Sequence, residues 1–169
     1  MKKYELTEET KTLADGTVLH HIRALMDISR YGVKAGDLGG WIEKYDNLSQ
    51  DGDAWVCGDA KVCGNARVYG NARVYGDAEV CGKAWVSGDA EVCRKADYIT
   101  FKNSWSSGRS FTYTRSNRMW RVGCFYGTGE ELIKKAYKDS ELSGRCYETI
   151  VRAVETIEAA KADAKGEHK

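Results

Sequence analysis

The chain has no proline among its 169 residues, no histidine between positions 22 and 167, and no C-x-x-C pair among its six cysteines. Nor does it contain an apolar run approaching the ~20 residues that span a bilayer as a helix. Each absence excludes something. Without proline, every backbone N–H after the first residue can join a hydrogen-bonded ladder, which suits a repeat array. The N-terminal stretch MKKYELTEETK lacks the apolar core of a signal peptide, so a cytoplasmic protein with no membrane segment is expected. A net charge of +1 gives no argument from overall charge. With His20, His21 and His168 outside the middle of the chain and no paired cysteines, neither a zinc site nor any other metal or cofactor is expected.

What the chain has is a repeat. Residues 63–80 read CGNARVYGNARVYGDAEV. Alanine recurs at 54, 60, 66, 72, 78, 84, 90 and 96, valine at 56, 62, 68, 74, 80, 86 and 92, and Tyr98 closes the valine series. Glycine stands at 52, 58, 64, 70, 76, 82 and 88. A period of six forms no stripe on a helix of about 3.6 residues per turn. The A-x-V triplet alternates like a short strand, with Ala and Val on one side. The Gly-Asp/Asn pair is turn chemistry. Three strands and three corners close a triangle, and stacked triangles make a parallel β-helix with Ala and Val inside. Ile42 and Leu48 fall in phase with the Ala column, so an irregular coil is expected to begin near Leu38. Cys63 and Cys81 then share an outward column on adjacent coils. Reduced thiols are the expectation, a disulfide or metal pair the alternative.

The phrase V-x-G-[D/N]-A-x, as in Val68-Tyr69-Gly70-Asn71-Ala72-Arg73, resembles the hexapeptide repeat of left-handed parallel β-helix proteins. Residues 33–56, with Gly39-Gly40-Trp41 in the place of a bulky cap, resemble the lead-in of hexapeptide-repeat proteins from bacteria and their prophages. The run through Gly108-Arg109, Arg115, Val122, Gly123-Cys124-Phe125, Gly127-Thr128 and Glu131 resembles a small C-terminal module of phage and prophage proteins. The resemblance implies a mainly β fold in three parts. Residues 1–50 form a hairpin and cap, with strands in Lys2–Leu6 and Val18–Ile28 joined through Ala14-Asp15-Gly16. Residues 51–98 form the short left-handed β-helix. Residues 99–169 form an α+β module with a polar tail. Within that module a hairpin turns at Ser116-Asn117-Arg118. Thr128-Gly129-Glu130-Glu131 is a capping box opening a first helix, and Ser143-Gly144 starts a second whose apolar face carries Tyr147, Ile150, Val151, Val154 and Ile157. The tail is expected to fray.

Many hexapeptide-repeat relatives are trimeric acyltransferases, which implies one enzymatic alternative. That chemistry needs a histidine base projecting from a coil, and only His20 and His21, in the hairpin, are near. No Ser-His-Asp set or phosphate loop with its lysine is present, so the reading leans away from an enzyme. Residues 99–127 point to binding instead. They hold five basic residues, seven aromatics and no acidic residue, a composition suited to stacking on bases and pairing with phosphates. The candidate contacts are Trp105, Arg109, Tyr113, Arg115, Arg118, Trp120 and Arg121. The expected protein is a non-catalytic binder, in host cytoplasm if phage-encoded. Its expected target is an anionic nucleotide-type ligand or a host defence component, with nucleic acid possible. The apolar outward columns (Trp55, Tyr69, Tyr75, Trp85) imply a homo-oligomer, a trimer ahead of a dimer. A purely structural trimerising scaffold is the remaining alternative.

Overall fold

The computed structural model describes residues 2–104 and 107–166. They form two compact units, Met1–Cys124 and Phe125–Lys169.

The first unit is built on the repeat. Three strands lead in: β1 (Tyr4–Thr12), β2 (Val18–Ala24) and β3 (Leu38–Ile42). Seven two-residue strands follow, one per hexapeptide: β4 (Trp55–Val56), β5 (Lys61–Val62), β6 (Arg67–Val68), β7 (Arg73–Val74), β8 (Glu79–Val80), β9 (Trp85–Val86) and β10 (Glu91–Val92). All pairing among these seven is parallel and joins residues eighteen apart, as in Lys61↔Glu79, Arg67↔Trp85 and Arg73↔Glu91. The three faces are β3-β5-β8, β4-β7-β10 and β6-β9. Every Ala and Val from Ala54 to Val92 lies at or below 1% exposure, so the small side chains fill the interior. Each corner from Gly52 to Gly88 turns on a glycine at positive φ. At Gly70 (φ 69°) a Cβ would also stand 3.2 Å from the Gly88 nitrogen, so the coil spacing itself resists a side chain there.

The irregular first coil begins at Leu38, as its pattern predicts, but its register differs from the pattern. Trp41↔Lys61, Ile42↔Val62 and the bridge Leu48↔Val68 are twenty residues apart, whereas Trp55↔Arg73 is eighteen. Two extra residues therefore lie in the corner between Leu48 and Ala54. They move Ile42 and Leu48 from the Ala column into the Val column, where larger side chains fit. The corner is held by the N-terminal strand. Lys3 donates from its backbone N–H to Gln50 Oε1 at 2.7 Å and from Nζ to the carbonyls of Gly52 (3.2 Å) and Ala54 (2.8 Å). Tyr4 donates its hydroxyl to the Leu48 carbonyl at 2.7 Å. Burial lowers the Lys3 ammonium to about 8, against the attraction of Asp53 and Asp51.

β1 and β2 pair antiparallel through the Leu13–Thr17 turn, with a register shift between Leu6 and Thr10, and β2 pairs antiparallel with β3. The hairpin thus continues one solenoid face past the first coil, and Tyr4, Ile22, Ala24 and Ile28 share one core with the Ala and Val columns. Trp41 does not plug the open end. It stacks on His21 at 4.4 Å on the outward face. The glycines before it permit close approach: a Cβ on Gly39 would meet Ile22 and the Val56 carbonyl at 2.6 Å.

After the last coil the chain forms an antiparallel sheet of β11 (Tyr98–Lys102), β12 (Ser110–Thr114) and β13 (Met119–Val122). Thr112 Oγ1 accepts from the Trp85 N–H at 3.0 Å, and Ser116 Oγ accepts from the Glu91 N–H at 2.8 Å. The Tyr98 hydroxyl donates to the Glu79 carbonyl at 2.9 Å. Asp97 accepts from the N–H groups of Cys93 (2.9 Å) and Arg94 (3.0 Å). Burial works to raise that carboxyl, but these bonds and Arg94 outweigh it and hold it below the usual carboxylate range.

The second unit opens with β14 (Phe125–Gly127) and packs α1 (Gly129–Asp139) against α2 (Glu141–Gly166). Thr128 and Glu131 form the expected capping box. The second helix begins two residues before Ser143, because Ser140 Oγ accepts the Ser143 N–H at 3.1 Å and caps it there. The helix also runs through the stretch expected to fray, as far as Gly166. Leu132, Ile133 and Ala136 meet a face of α2 in which Val151 and Val154 are buried, while Ile157 remains exposed.

Candidate functional site

Of the seven residues singled out from the composition of 99–127, the six that are described do not assemble into one surface. Tyr113 and Trp120 face each other across β12 and β13 with ring centroids 5.1 Å apart, and both are buried, so neither ring is offered to a base. Alternation along the strands puts Phe111, Tyr113, Trp120 and Val122 on one sheet face, where all four are buried, and Thr112 and Thr114 on the other, buried as well. Arg121 points to the other face. Its guanidinium lies 5.2 Å from the ring centroids of both Tyr69 and Trp85, and Nη1 reaches the Cys124 carbonyl at 3.5 Å. It clamps the sheet to outward aromatics of the solenoid. Arg115 and Arg118 lie at the hairpin turn, where Arg118 adopts φ 55° and the Arg115 backbone N–H donates to the Asp97 carbonyl. Arg109 stands at the other end of β12. Trp105 lies outside the described residues.

Arg109 does line a cavity of about 360 Å³, together with residues the composition did not mark. One solenoid corner supplies Lys44 and Asp46 from the first coil, Asn65 from the second and Lys83 from the third. The adjoining face supplies Arg67 and Trp85, which neighbour each other across β6 and β9, with the guanidinium 5.6 Å from the indole centroid. Gly108, Arg109, Ser110 and Gly123 form the remaining wall. The corner is tied to the next coil by hydrogen bonds. Asn47 is fully buried and its amide donates to the carbonyls of Gly64 (3.2 Å) and Ala66 (2.9 Å), while Glu43 accepts the Gly64 N–H at 2.6 Å.

Among the described residues, four cations therefore face this cleft against one carboxylate, Asp46. None of Lys44, Arg67, Lys83 and Arg109 is ion-paired with a described residue. Elsewhere in the first unit, cations such as Arg30, Lys34 and Lys95 do have carboxylate partners. One signal in the sequence marks Lys83. From Gly52 to Gly88 it is the single position where the Asp or Asn after the repeat glycine gives way to lysine. Arg67 and Lys44 carry no such mark, because outward strand and corner positions of a solenoid tolerate any soluble side chain.

Other chemistry is sparse. His21 bonds Glu9 through Nδ1 (2.9 Å) and the Gly39 carbonyl through Nε2 (3.0 Å), both within the lead-in strands. All six cysteines are free thiols. Burial, with Cys81 and Glu43 nearby, pushes the Cys63 thiol up to about 11. Among the described residues no group of three His, Cys, Asp or Glu side chains could hold a metal, and no helix is long and apolar enough to cross a membrane.

The outward aromatics are also less exposed than the repeat pattern implies. Trp55 is 1% exposed and meets Tyr4 edge to face, and Trp85 is half-buried beneath Arg67 and Arg121. The chain itself covers much of the surface on which the expectation of a homo-oligomer was based.

Two overlapping stretches, residues 60–76 and 66–82, match the family model described as the YdcK beta solenoid repeat. No curated protein matches the chain. The repeat match agrees with the eighteen-residue parallel register and the filled Ala and Val columns: the chain is a β-solenoid repeat protein.

Proposed function

We propose that the chain is a non-catalytic binding protein that captures an anionic, nucleotide-type ligand in the cleft between Lys44 and Arg109. In this reading the solenoid is a left-handed hexapeptide-repeat helix of phage type, working in the host cytoplasm as a homo-oligomer, with a trimer suggested by the hexapeptide resemblance. The observation that carries the ligand class is a set of cations with no ion-pair partner among the described residues. Arg67, Lys83 and Arg109 line one concavity with Gly108 and Gly123, and Asp46 is the one carboxylate among its described lining residues. Like charges held together without partners repel one another, and an anion relieves that cost. Arginine offers a planar fork that matches phosphate oxygens, and Lys83 adds a compact charge. The volume lies at the lower end of small-molecule sites, which begin near ~300 Å³.

The test is thermal shift and calorimetry with mononucleotides and inorganic di- and triphosphate at low salt. Binding is expected, and Arg67→Ala or Lys83→Ala each weakens it by about 1–3 kcal/mol, the scale of a charge-assisted hydrogen bond. Both side chains are exposed, so the melting temperature of the free variants stays close to that of the parent. A protein that takes up none of these anions overturns the reading.

A further inference from the structure

The cleft does not end at Ser110. A second cavity of about 310 Å³ is lined by Lys83, Thr100, Phe101, Lys102 and Ser110. Lys83 and Ser110 belong to both cavities, so the two adjoin. We propose that they form one groove that holds a phosphodiester chain of two or more nucleotides, with Lys83 between successive phosphates. This inference rests on the nucleotide reading of the first cleft and extends it.

Three observations carry it. The first is the distribution of charge. Among the described lining residues one carboxylate, Asp46, stands against five cations, Lys44, Arg67, Lys83, Arg109 and Lys102, spread over both cavities. A mononucleotide has its negative charge at one end and leaves part of that row unanswered. A phosphodiester chain distributes one charge per nucleotide along a line. The second is the chemistry of the new cavity. Its described lining offers two ammonium groups and the hydroxyl-bearing residues Thr100 and Ser110, with no carboxylate among them, a set suited to phosphate and sugar oxygens.

The third is the state of Trp85. Its ring already carries Arg67 at 5.6 Å and Arg121 at 5.2 Å, with Tyr69 edge-on at 6.2 Å. An indole occupied in this way is a poor stacking platform. Recognition through the backbone is then sequence-tolerant, and base identity contributes little.

The experiment measures binding of thymidine monophosphate, the thymidylate dinucleotide and the tetranucleotide by calorimetry across a salt series. The wild-type protein, Lys83→Ala and Lys102→Ala are compared, and an adenylate series controls for base. Affinity is expected to rise at least tenfold from the mononucleotide to the dinucleotide, and adenylate and thymidylate should agree within a few-fold. The salt dependence should steepen with length, because each further neutralised phosphate adds roughly −0.7 to the logarithmic slope for single strands. Lys102→Ala should weaken dinucleotide binding about tenfold and leave the mononucleotide unchanged, whereas Lys83→Ala weakens both. Equal affinities for one and two nucleotides, or a Lys102→Ala variant that binds the dinucleotide like wild type, overturns the groove and leaves the single-cleft reading standing. Absence of binding to every nucleotide removes both.

Discussion

At its N-terminal end the solenoid is closed by a backbone ladder on one face and by Lys3 and Tyr4 on the corner beside it, and at its C-terminal end by side-chain hydrogen bonds. β2 adds to β3 as another strand of the same face and β1 adds to β2, so the first coil sees a continuing ladder. At the far end the chain turns into an antiparallel sheet, and hydroxyls and a carboxylate satisfy the last coil: Thr112 and Ser116 as acceptors for N–H groups, Tyr98 as a donor to a carbonyl, Asp97 as a double acceptor. The two solutions have different demands. Continuing a ladder requires register, and the twenty-residue first coil, with Lys3 and Tyr4 holding its long corner, supplies it. Side-chain capping tolerates a change of direction but rests on single bonds, each removable by one substitution.

The comparison can be broken most completely from the middle. Val68 pairs with Leu48 on one side and Val86 on the other and is 1% exposed. Val68→Asp buries a carboxylate with no partner, and both ends lose the coil they cap. Loss of soluble protein is expected, from a penalty of several kcal/mol, checked by soluble yield and circular dichroism. A folded, normally melting variant contradicts the interior placement.

The ends themselves should respond unequally. Thr112→Val preserves shape but strands the Trp85 N–H, and about 1–3 kcal/mol is expected in urea unfolding. Tyr4→Phe removes the bond to the Leu48 carbonyl while the ladder beside it persists, and about 1 kcal/mol is expected. The double variant should be additive within a few tenths of a kcal/mol, since the sites share no partner. A larger loss from Tyr4→Phe than from Thr112→Val reverses the contrast drawn here.

A dependence on pH, gradual from one pH unit to the next, also separates the ends. Lys3 falls from 10.5 to about 8 on folding, so between these values the folded state holds fewer protons than the unfolded chain. Its contribution makes stability rise with pH across that window, by less than ~1.4 kcal/mol per pH unit. Cys63 and Tyr98, raised to about 11 and about 12 by burial, work in the opposite direction at high pH. The Lys3 contribution is therefore read as the difference between wild type and Lys3→Met, which should be flat below pH 8 and favour wild type progressively above it. Asp97 behaves as a depressed carboxylate. Its stabilisation is present above the ordinary carboxylate range and is lost as pH falls through its folded value, so Asp97→Asn should flatten the acid limb alone.

Much of the first unit was legible because the repeat admits one geometry. Six residues per strand and corner, with small apolar residues at two fixed places, determine the parallel pairing and the interior. The hairpin turn at Asp15-Gly16 and the Thr128–Glu131 capping box are local hydrogen-bond patterns of neighbouring residues, and the sequence shows them directly. The register of the first coil was not legible. Ile42 and Leu48 match the Ala phase by counting, and only the partners of the Leu48–Ala54 corner reveal the two extra residues.

The sequence by itself thus determined the β-solenoid, its contents and the position of its corners, because these depend on residues a fixed number apart in one chain. The tertiary structure alone decided what the basic and aromatic residues do. Tyr113 and Trp120 became core and Arg121 a clamp, while Lys44, Arg67, Lys83 and Arg109 were brought from four distant places to one cleft. Composition records how many cations a segment holds. Which of them meet is decided by coil stacking, which sets residues eighteen or twenty apart side by side, and by the fold-back of β11 to β13 onto the last coil.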